Sequence, residues 1–268
     1  MLEVRDLKIK LNDKILVENI NFELESGKVL ALVGESGSGK SIICRSILGL
    51  NKYMNDELIT EGKIFFRGMD LLEIKEKEFS NIRGKEISMI FQNAISTLNP
   101  LRKIGNQIAD IFNIHSSLSK AEIKSNVLNL LKDVKLENYK DVYNMYPHEL
   151  SGGMAQRIVI AIAIALKPKL IIADEPTTSL DSRTQEEILN LLLGLSRKNN
   201  TAILFVSHDL EATRLIADEI ILLKNGEIIE SQNVYNFFNS PKSSYAKKLL
   251  DCTILKKLPN NRFYTGDD

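Results

Sequence analysis

Apolar and polar residues alternate near the start of the chain, at Leu2, Val4, Leu7 and Ile9 and again at Ile20, Phe22 and Leu24. A two-residue period of this kind predicts half-buried strands over 2–11 and 15–25, with turns at Asn12-Asp13-Lys14 and Ser26-Gly27. The pattern then changes. Val29 to Val33 is an unbroken apolar run, as expected of a strand covered on both faces, and Ile42 to Leu50 reads as a helix. Asn51 to Glu61 is polar and reads as a loop, Gly62 to Gly68 as a strand between glycines, and Lys75 to Lys85 as a charged, exposed segment. Glu86 to Phe91 is a further strand, which delivers Gln92 at its end.

From about Asn93 to Leu150 the period becomes helical. Ile104, Ile108, Ile111 and Phe112 share one face, and Ile123, Val127, Leu130, Leu131 and Val134 form a second stripe behind the capping box that opens at Ser119. Gly153 to Leu166 is a very apolar helix stopped by Pro168. Strand and helix then alternate. Leu170 to Ala173 ends in Asp174-Glu175, Gln185 to Arg197 is amphipathic, Ala202 to Val206 ends in Ser207-His208, and Glu211 to Ala217 is helical. Asn225-Gly226 predicts a hairpin, and the polar stretch from Ser231 carries one helix around Tyr245 to Leu250. Alternating strands and helices predict an α/β fold interrupted by a small helical insertion.

Between the strand at Val29–Val33 and its helix lies Gly34-Glu35-Ser36-Gly37-Ser38-Gly39-Lys40-Ser41, a G-x-x-x-x-G-K-[ST] phosphate-binding loop in the strand–loop–helix context that the pattern requires. Glycines let successive backbone N–H groups face phosphate oxygens, and the helix N-terminus adds a favourable dipole. Lys40 is placed to reach the terminal phosphates and Ser41 to ligate Mg²⁺. In such proteins an aspartate at a later strand end also holds Mg²⁺, which points to Asp174. The adjacent Glu175 can polarise the attacking water. A nucleoside triphosphate is the expected ligand.

Composition narrows the picture by exclusion. Lys+Arg and Asp+Glu both number 35, so no global field favours nucleic acid or anionic lipid. Cys44 and Cys252 stand far apart, outside any pairing or metal-ligand spacing. The first residues lack a basic segment followed by an apolar one, and the longest apolar run, Ile158 to Leu166, is nine residues, well short of the roughly 20 that span a bilayer. The expectation is a cytosolic chain that reaches a membrane only through partners.

Leu150-Ser151-Gly152-Gly153-Met154-Ala155-Gln156-Arg157 places a serine and two glycines at a helix N-terminus, a second anion-binding nest. This segment closely resembles the signature motif of ABC (ATP-binding cassette) ATPases. The ordered set of phosphate loop, Gln92, signature, Asp174-Glu175, Ser179-Leu180-Asp181 and His208 extends the resemblance from about Leu2 to Leu250. It implies an α/β P-loop NTPase (RecA-like) core over 1–92 and 151–230, with an antiparallel β subdomain, a helical subdomain inserted at about 93–150, and a C-terminal tail over 231–268. It also implies site roles: Gln92 senses Mg²⁺ and the water, Asp181 couples two sites across a dimer, and His208 contacts the γ-phosphate. Ser151, Gly152, Gly153 and Met154 serve the ATP held by a partner subunit. One departure stands out. The family's adenine-stacking aromatic corresponds here to Leu11, so GTP is expected to replace ATP more readily than usual.

Gln92 to Pro100, Tyr146-Pro147-His148-Glu149, Met154 and Pro241 to Tyr245 are similar to the peptide/nickel importer branch. That resemblance implies a second, non-identical ATPase subunit, two membrane permeases and an extracytoplasmic solute-binding protein, with the chain peripheral on the cytoplasmic face. Nickel or a metal chelate is the expected cargo, with dipeptides or oligopeptides the alternative. A soluble, non-transport ABC ATPase is the rival from a different class; neither a long coiled coil nor a basic arm supports it.

Overall fold

In the computed structural model, which describes residues 1–255, a six-stranded and a four-stranded sheet account for the strands of the described residues. The chain opens with β1 (Leu2–Leu11) and β2 (Lys14–Leu24), paired antiparallel. The step from Val4 to Leu7 breaks the two-residue period, and there the ladder bulges. Asp6 adopts φ 49° and its N–H donates to Asn21 Oδ1 at 2.8 Å. The extra residue turns Leu7 and Ile9 back to the buried face.

β3 (Val29–Gly34) leads into α1 (Lys40–Ile47). Residues 51–61 are not the loop expected: α2 (Asn51–Met54) is followed by β4 (Leu58–Phe66). The first half of β4 is largely exposed, so it carries no hydrophobic signal, and its pairing with Lys8 to Leu11 of β1 supplies the order. After the short β5 (Met69–Asp70), the segment read as exposed contains α3 (Glu76–Ile82), which buries Phe79 and Ile82. β6 (Ile87–Ile90) follows.

The insertion comprises α4 (Ala94–Thr97), α5 (Ile104–His115), α6 (Lys120–Asp133), α7 (Tyr139–Val142) and a 3₁₀ turn at Pro147–Glu149. Ile104, Ile108 and Phe112 meet Ile123, Val127 and Leu131, as the two stripes require. α8 (Gly152–Ile164) connects this layer to the sheet. Arg157 on α8 donates to Val134 O at 3.0 Å and to Glu187 Oε2 at 2.7 Å, tying the insertion to the next helix of the core.

β7 (Leu170–Asp174), α9 (Ser182–Asn199), β8 (Ala202–Ser207), α10 (Leu210–Ile216), β9 (Glu219–Lys224) and β10 (Glu227–Asn233) complete the α/β pattern. Asn225 and Gly226 both take positive φ, 52° and 83°, as a tight hairpin turn demands. The tail is more ordered than its polarity suggests. α11 (Val234–Asn239) and α12 (Ser244–Leu255) insert Phe237, Ala246 and Leu250 into the core. Residues 256–268 of the expected tail lie outside the described residues.

The larger sheet runs β10-β9-β3-β8-β7-β6, parallel except for β10. Alternate residues of β3 serve two cores: Val29, Ala31 and Val33 face the helical layer, while Leu30 and Leu32 face the cluster that includes the antiparallel sheet. The C-terminal ends of β3, β8, β7 and β6 share one edge, where ligands of open parallel sheets bind.

Candidate functional site

Each strand end on that edge delivers one piece of chemistry. β3 delivers the glycine loop, β6 Gln92, β7 Asp174-Glu175 and β8 Ser207-His208. At Gly34 the backbone passes so close to β9 that an added Cβ would lie 2.3 Å from Leu223 O, which restricts the position to glycine. Gly39, the residue before α1, has φ 104°. Glu35, Ser36 and Gly37 are exposed on the loop's outer turn, and Ser38 folds beneath it.

Lys40 is only 5% exposed. Its ammonium donates to Gly34 O and Glu35 O at 2.8 Å each and lies 3.3 Å from Ser38 Oγ. Burial draws its pKa below the usual lysine range, while Glu175 and Asp174 oppose that shift. The arrangement fixes a positive charge inside a ring of loop carbonyls.

Ser41 Oγ donates to Asp174 Oδ1 at 3.1 Å. Asp174 is 5% exposed, and burial pushes its carboxyl above the ordinary aspartate value despite the Ser41 hydrogen bond. A desolvated carboxylate that gains from a cation, next to a hydroxyl, is a hard-oxygen donor pair. The separation suits Mg²⁺, whose adjacent octahedral ligands lie about 3 Å apart. The Gln92 side chain, by contrast, is engaged elsewhere: its Nε2 donates to Glu175 Oε2 at 2.7 Å.

Glu175 is the hub of the site. It takes φ 48°, a left-handed conformation that costs a non-glycine residue on the order of 1–3 kcal/mol. Its N–H donates to Val206 O at 2.9 Å, which pins the turn to β8. Oε2 also accepts from Thr178 Oγ1 at 3.0 Å, and Oε1 lies 3.1 Å from His208 Nδ1. Three side chains thus orient one carboxylate at the rim of a cavity of about 330 Å³. Leu16, Ser36, Gly37, Gly39, Lys40, Ser41, Ile42, Gln92 and Glu175 line that cavity.

Ser151, Gly152, Gly153 and Met154 are not among those lining residues. Ser151 caps α8, accepting from Met154 N–H at 3.3 Å, and both Ser151 and Gly152 are exposed. Asp181 caps α9 through Thr184 N–H at 3.0 Å and Thr184 Oγ1 at 2.6 Å, contacts that hold its carboxyl below the usual range. Gly153 packs against the same Thr184, with 2.8 Å between an added Cβ and Thr184 Cγ2. The two caps therefore form a second locus.

The family model described as "ABC transporter" matches residues 17–178, more than half of the chain. The chain belongs to the ABC transporter family. The oligopeptide transport ATP-binding protein OppD of Bacillus subtilis is 42% identical over 254 residues, covering 93% of this chain and 71% of that protein. The metal-staphylopine import system ATP-binding protein CntD of Staphylococcus aureus is 40% identical over 251 residues, covering 94% of this chain and 90% of that one. Among solved structures, the dimeric cassette MJ0796 in a post-hydrolysis state with ADP and Pi superposes with TM-score 0.77 at 30% identity, over 87% of this chain and 99% of that one. Another, cbiO1 from Clostridium perfringens, gives TM-score 0.76 at 26% identity, over 96% of this chain and 95% of that one.

This ABC cassette is thus an ATPase of α/β P-loop NTPase fold. No helix among its described residues is long and apolar enough to cross a membrane. Thr178, Leu16 and Ile42 at its site escaped the sequence reading. Thr178 lies between Asp174-Glu175 and Ser179-Leu180-Asp181 but carried no assigned role, and its spacing from Glu175 was the available signal. Leu16, not Leu11, borders the cavity; Leu11 pairs with Lys14 and Leu58 at the end of its ladder. The register of the β1–β2 hairpin decides which leucine faces the loop, and counting along the strand could not supply it.

Proposed function

We propose that this cassette is the ATP-hydrolysing subunit of an ABC importer for nickel or a metal chelate. The observation that carries the ATPase chemistry is the Glu175 carboxylate, held by Gln92, Thr178 and His208 beside Lys40 and Ser41. The loop N–H groups and Lys40 bind the β- and γ-phosphates, and Glu175 accepts a proton from the attacking water. His208 holds Glu175 in place and contacts the γ-phosphate. Ser41 and Asp174 would hold Mg²⁺, with Gln92 completing the set, and the bound ion would supply charge neutralisation at the phosphates.

Ser151, Gly152, Gly153 and Met154 serve the nucleotide of a second, non-identical ATPase subunit, and Asp181 couples the two sites. ATP then clamps the pair, the helical subdomain at about 93–150 moves against the core at 1–92 and 151–230, and two permeases rock with it. The chain works at the cytoplasmic face of the membrane, with cargo delivered by an extracytoplasmic binding protein. No nucleic acid takes part.

The metal-staphylopine relative supports a chelated metal as cargo, and the oligopeptide relative supports peptides as the second reading. ATPase activity of the purified complex with its membrane subunits tests both. Stimulation by binding protein loaded with a Ni²⁺ chelate, and none by dipeptide-loaded protein, is expected. Stimulation by dipeptide alone would transfer the cargo to the second reading, and stimulation by neither would remove both.

A further inference from the structure

α9 packs against α8, which carries the Ser151–Met154 nest, and against α10, which follows His208. Its first two turns bond to both. On one side Gly153 lies against Thr184, and Arg157 donates to Glu187 Oε2 at 2.7 Å. On the other side Gln185 Nε2 donates to Asp209 Oδ2 at 2.7 Å, in a partly buried contact. Gln185 stands one turn after Asp181, whose carbonyl accepts the Gln185 N–H at 2.8 Å.

Asp209 is the N-cap of α10, and it divides its two oxygens. Oδ1 accepts the N–H groups of Glu211 at 2.8 Å and Ala212 at 3.3 Å, which closes the first turn of the helix. Capping uses this one oxygen, and Oδ2 turns across to Gln185. The Asp209 N–H donates to Ser207 Oγ at 2.9 Å, so the turn that carries His208 is gripped on both sides. Packing does not hold the imidazole, for the His208 side chain is 58% exposed. The direction in which its ring reaches Glu175 Oε1, at 3.1 Å, is set by the 207–209 turn.

We propose that Gln185 is a positioning residue for hydrolysis: through Asp209 it holds the His208 turn in line with Glu175, so that α9 ties the Ser151–Met154 nest and the Asp181 cap to the hydrolytic carboxylate. The proposal rests on reading Glu175 and His208 as the pair that acts on the water and the γ-phosphate. The route is continuous, from the Asp181 cap to Gln185, Asp209, His208 and Glu175. Gln185 is not among the residues that line the phosphate cavity, so it acts through His208 and not on the nucleotide.

The test measures ATPase activity of the assembled complex for wild type, Gln185→Leu, His208→Ala and the double variant. Leucine keeps most of the bulk of the side chain and removes the donor. Gln185→Leu should lower kcat about tenfold, the scale of one hydrogen bond to a carboxylate, and leave the KM for ATP in place. In the His208→Ala background the same substitution should cost nothing further, since its route to Glu175 is gone. Gln185→Glu keeps the shape but sets a carboxylate against Asp209, and it should lower kcat at least as much. Should Gln185→Leu fail to assemble, Gln185→Glu carries the same comparison. Wild-type kcat in the Gln185 variants, equal losses with and without His208, or a raised KM at unchanged kcat would each overturn the proposal. Wild-type kcat in His208→Ala would overturn the reading of His208 and the proposal together, an outcome distinct from those three.

Discussion

The phosphate-binding loop and the Ser151–Met154 turn are built from the same parts, a serine and glycines at the start of a helix, yet they differ in completeness. In the first, Lys40 is ringed by carbonyls, Ser41 meets Asp174, and a hairpin closes the back. In the second, the Ser151 hydroxyl caps its own helix, and Gly152 faces solvent. Among the described residues, no lysine or carboxylate of the first locus hydrogen-bonds to Ser151 through Met154. A finished nest can hold a polyphosphate unaided. An unfinished one has N–H groups and a dipole to offer, and it gains a ligand when another surface presents one.

The sharpest way to probe this contrast is to disable the chemistry of the finished nest while sparing its grip. Glu175→Gln should retain ATP binding and lower hydrolysis by about 10²- to 10⁴-fold, the range of a lost general base. Wild-type turnover in that variant would remove Glu175 from the role. A smaller effect is expected at the unfinished nest. Ser151→Ala should leave ATP affinity of the isolated chain unchanged and reduce ATPase of the assembled complex about tenfold, the worth of a charged hydrogen bond. Weakened binding by the isolated chain would mean that the two nests belong to one site. Smallest is the base contact. Leu16→Tyr should tighten ATP relative to GTP about threefold in competition binding, the scale of one aromatic contact. An unchanged ratio would place the base away from Leu16.

Much of the finished nest was legible in the sequence because its residues lie at strand ends, and apolar runs announce strands. Gln92, Asp174, Glu175 and His208 each follow such a run, and the parallel sheet gathers them on one edge. Other parts were hidden because their order is tertiary. The first half of β4 is polar and held by its ladder to β1. α11 is a six-residue helix, too short to display a period, yet it carries the fully buried Phe237. Tyr245 reads as one aromatic in a polar tail, and only the fold brings it to Lys224. Leu16 was missed because hairpin register lies beyond what alternation encodes.

The order of the large sheet has a consequence for the chain's birth. β3, which carries the phosphate-binding loop, is flanked by β8 and β9, so both of its neighbours come from residues 202–224. On the ribosome this strand emerges early and waits on the order of ten seconds or more for them, at typical elongation rates. Through that interval its apolar edges lie open to intermolecular pairing. The nucleotide site is therefore among the last features to assemble, and a chain released before β8 contains the whole loop sequence with neither strand that holds it.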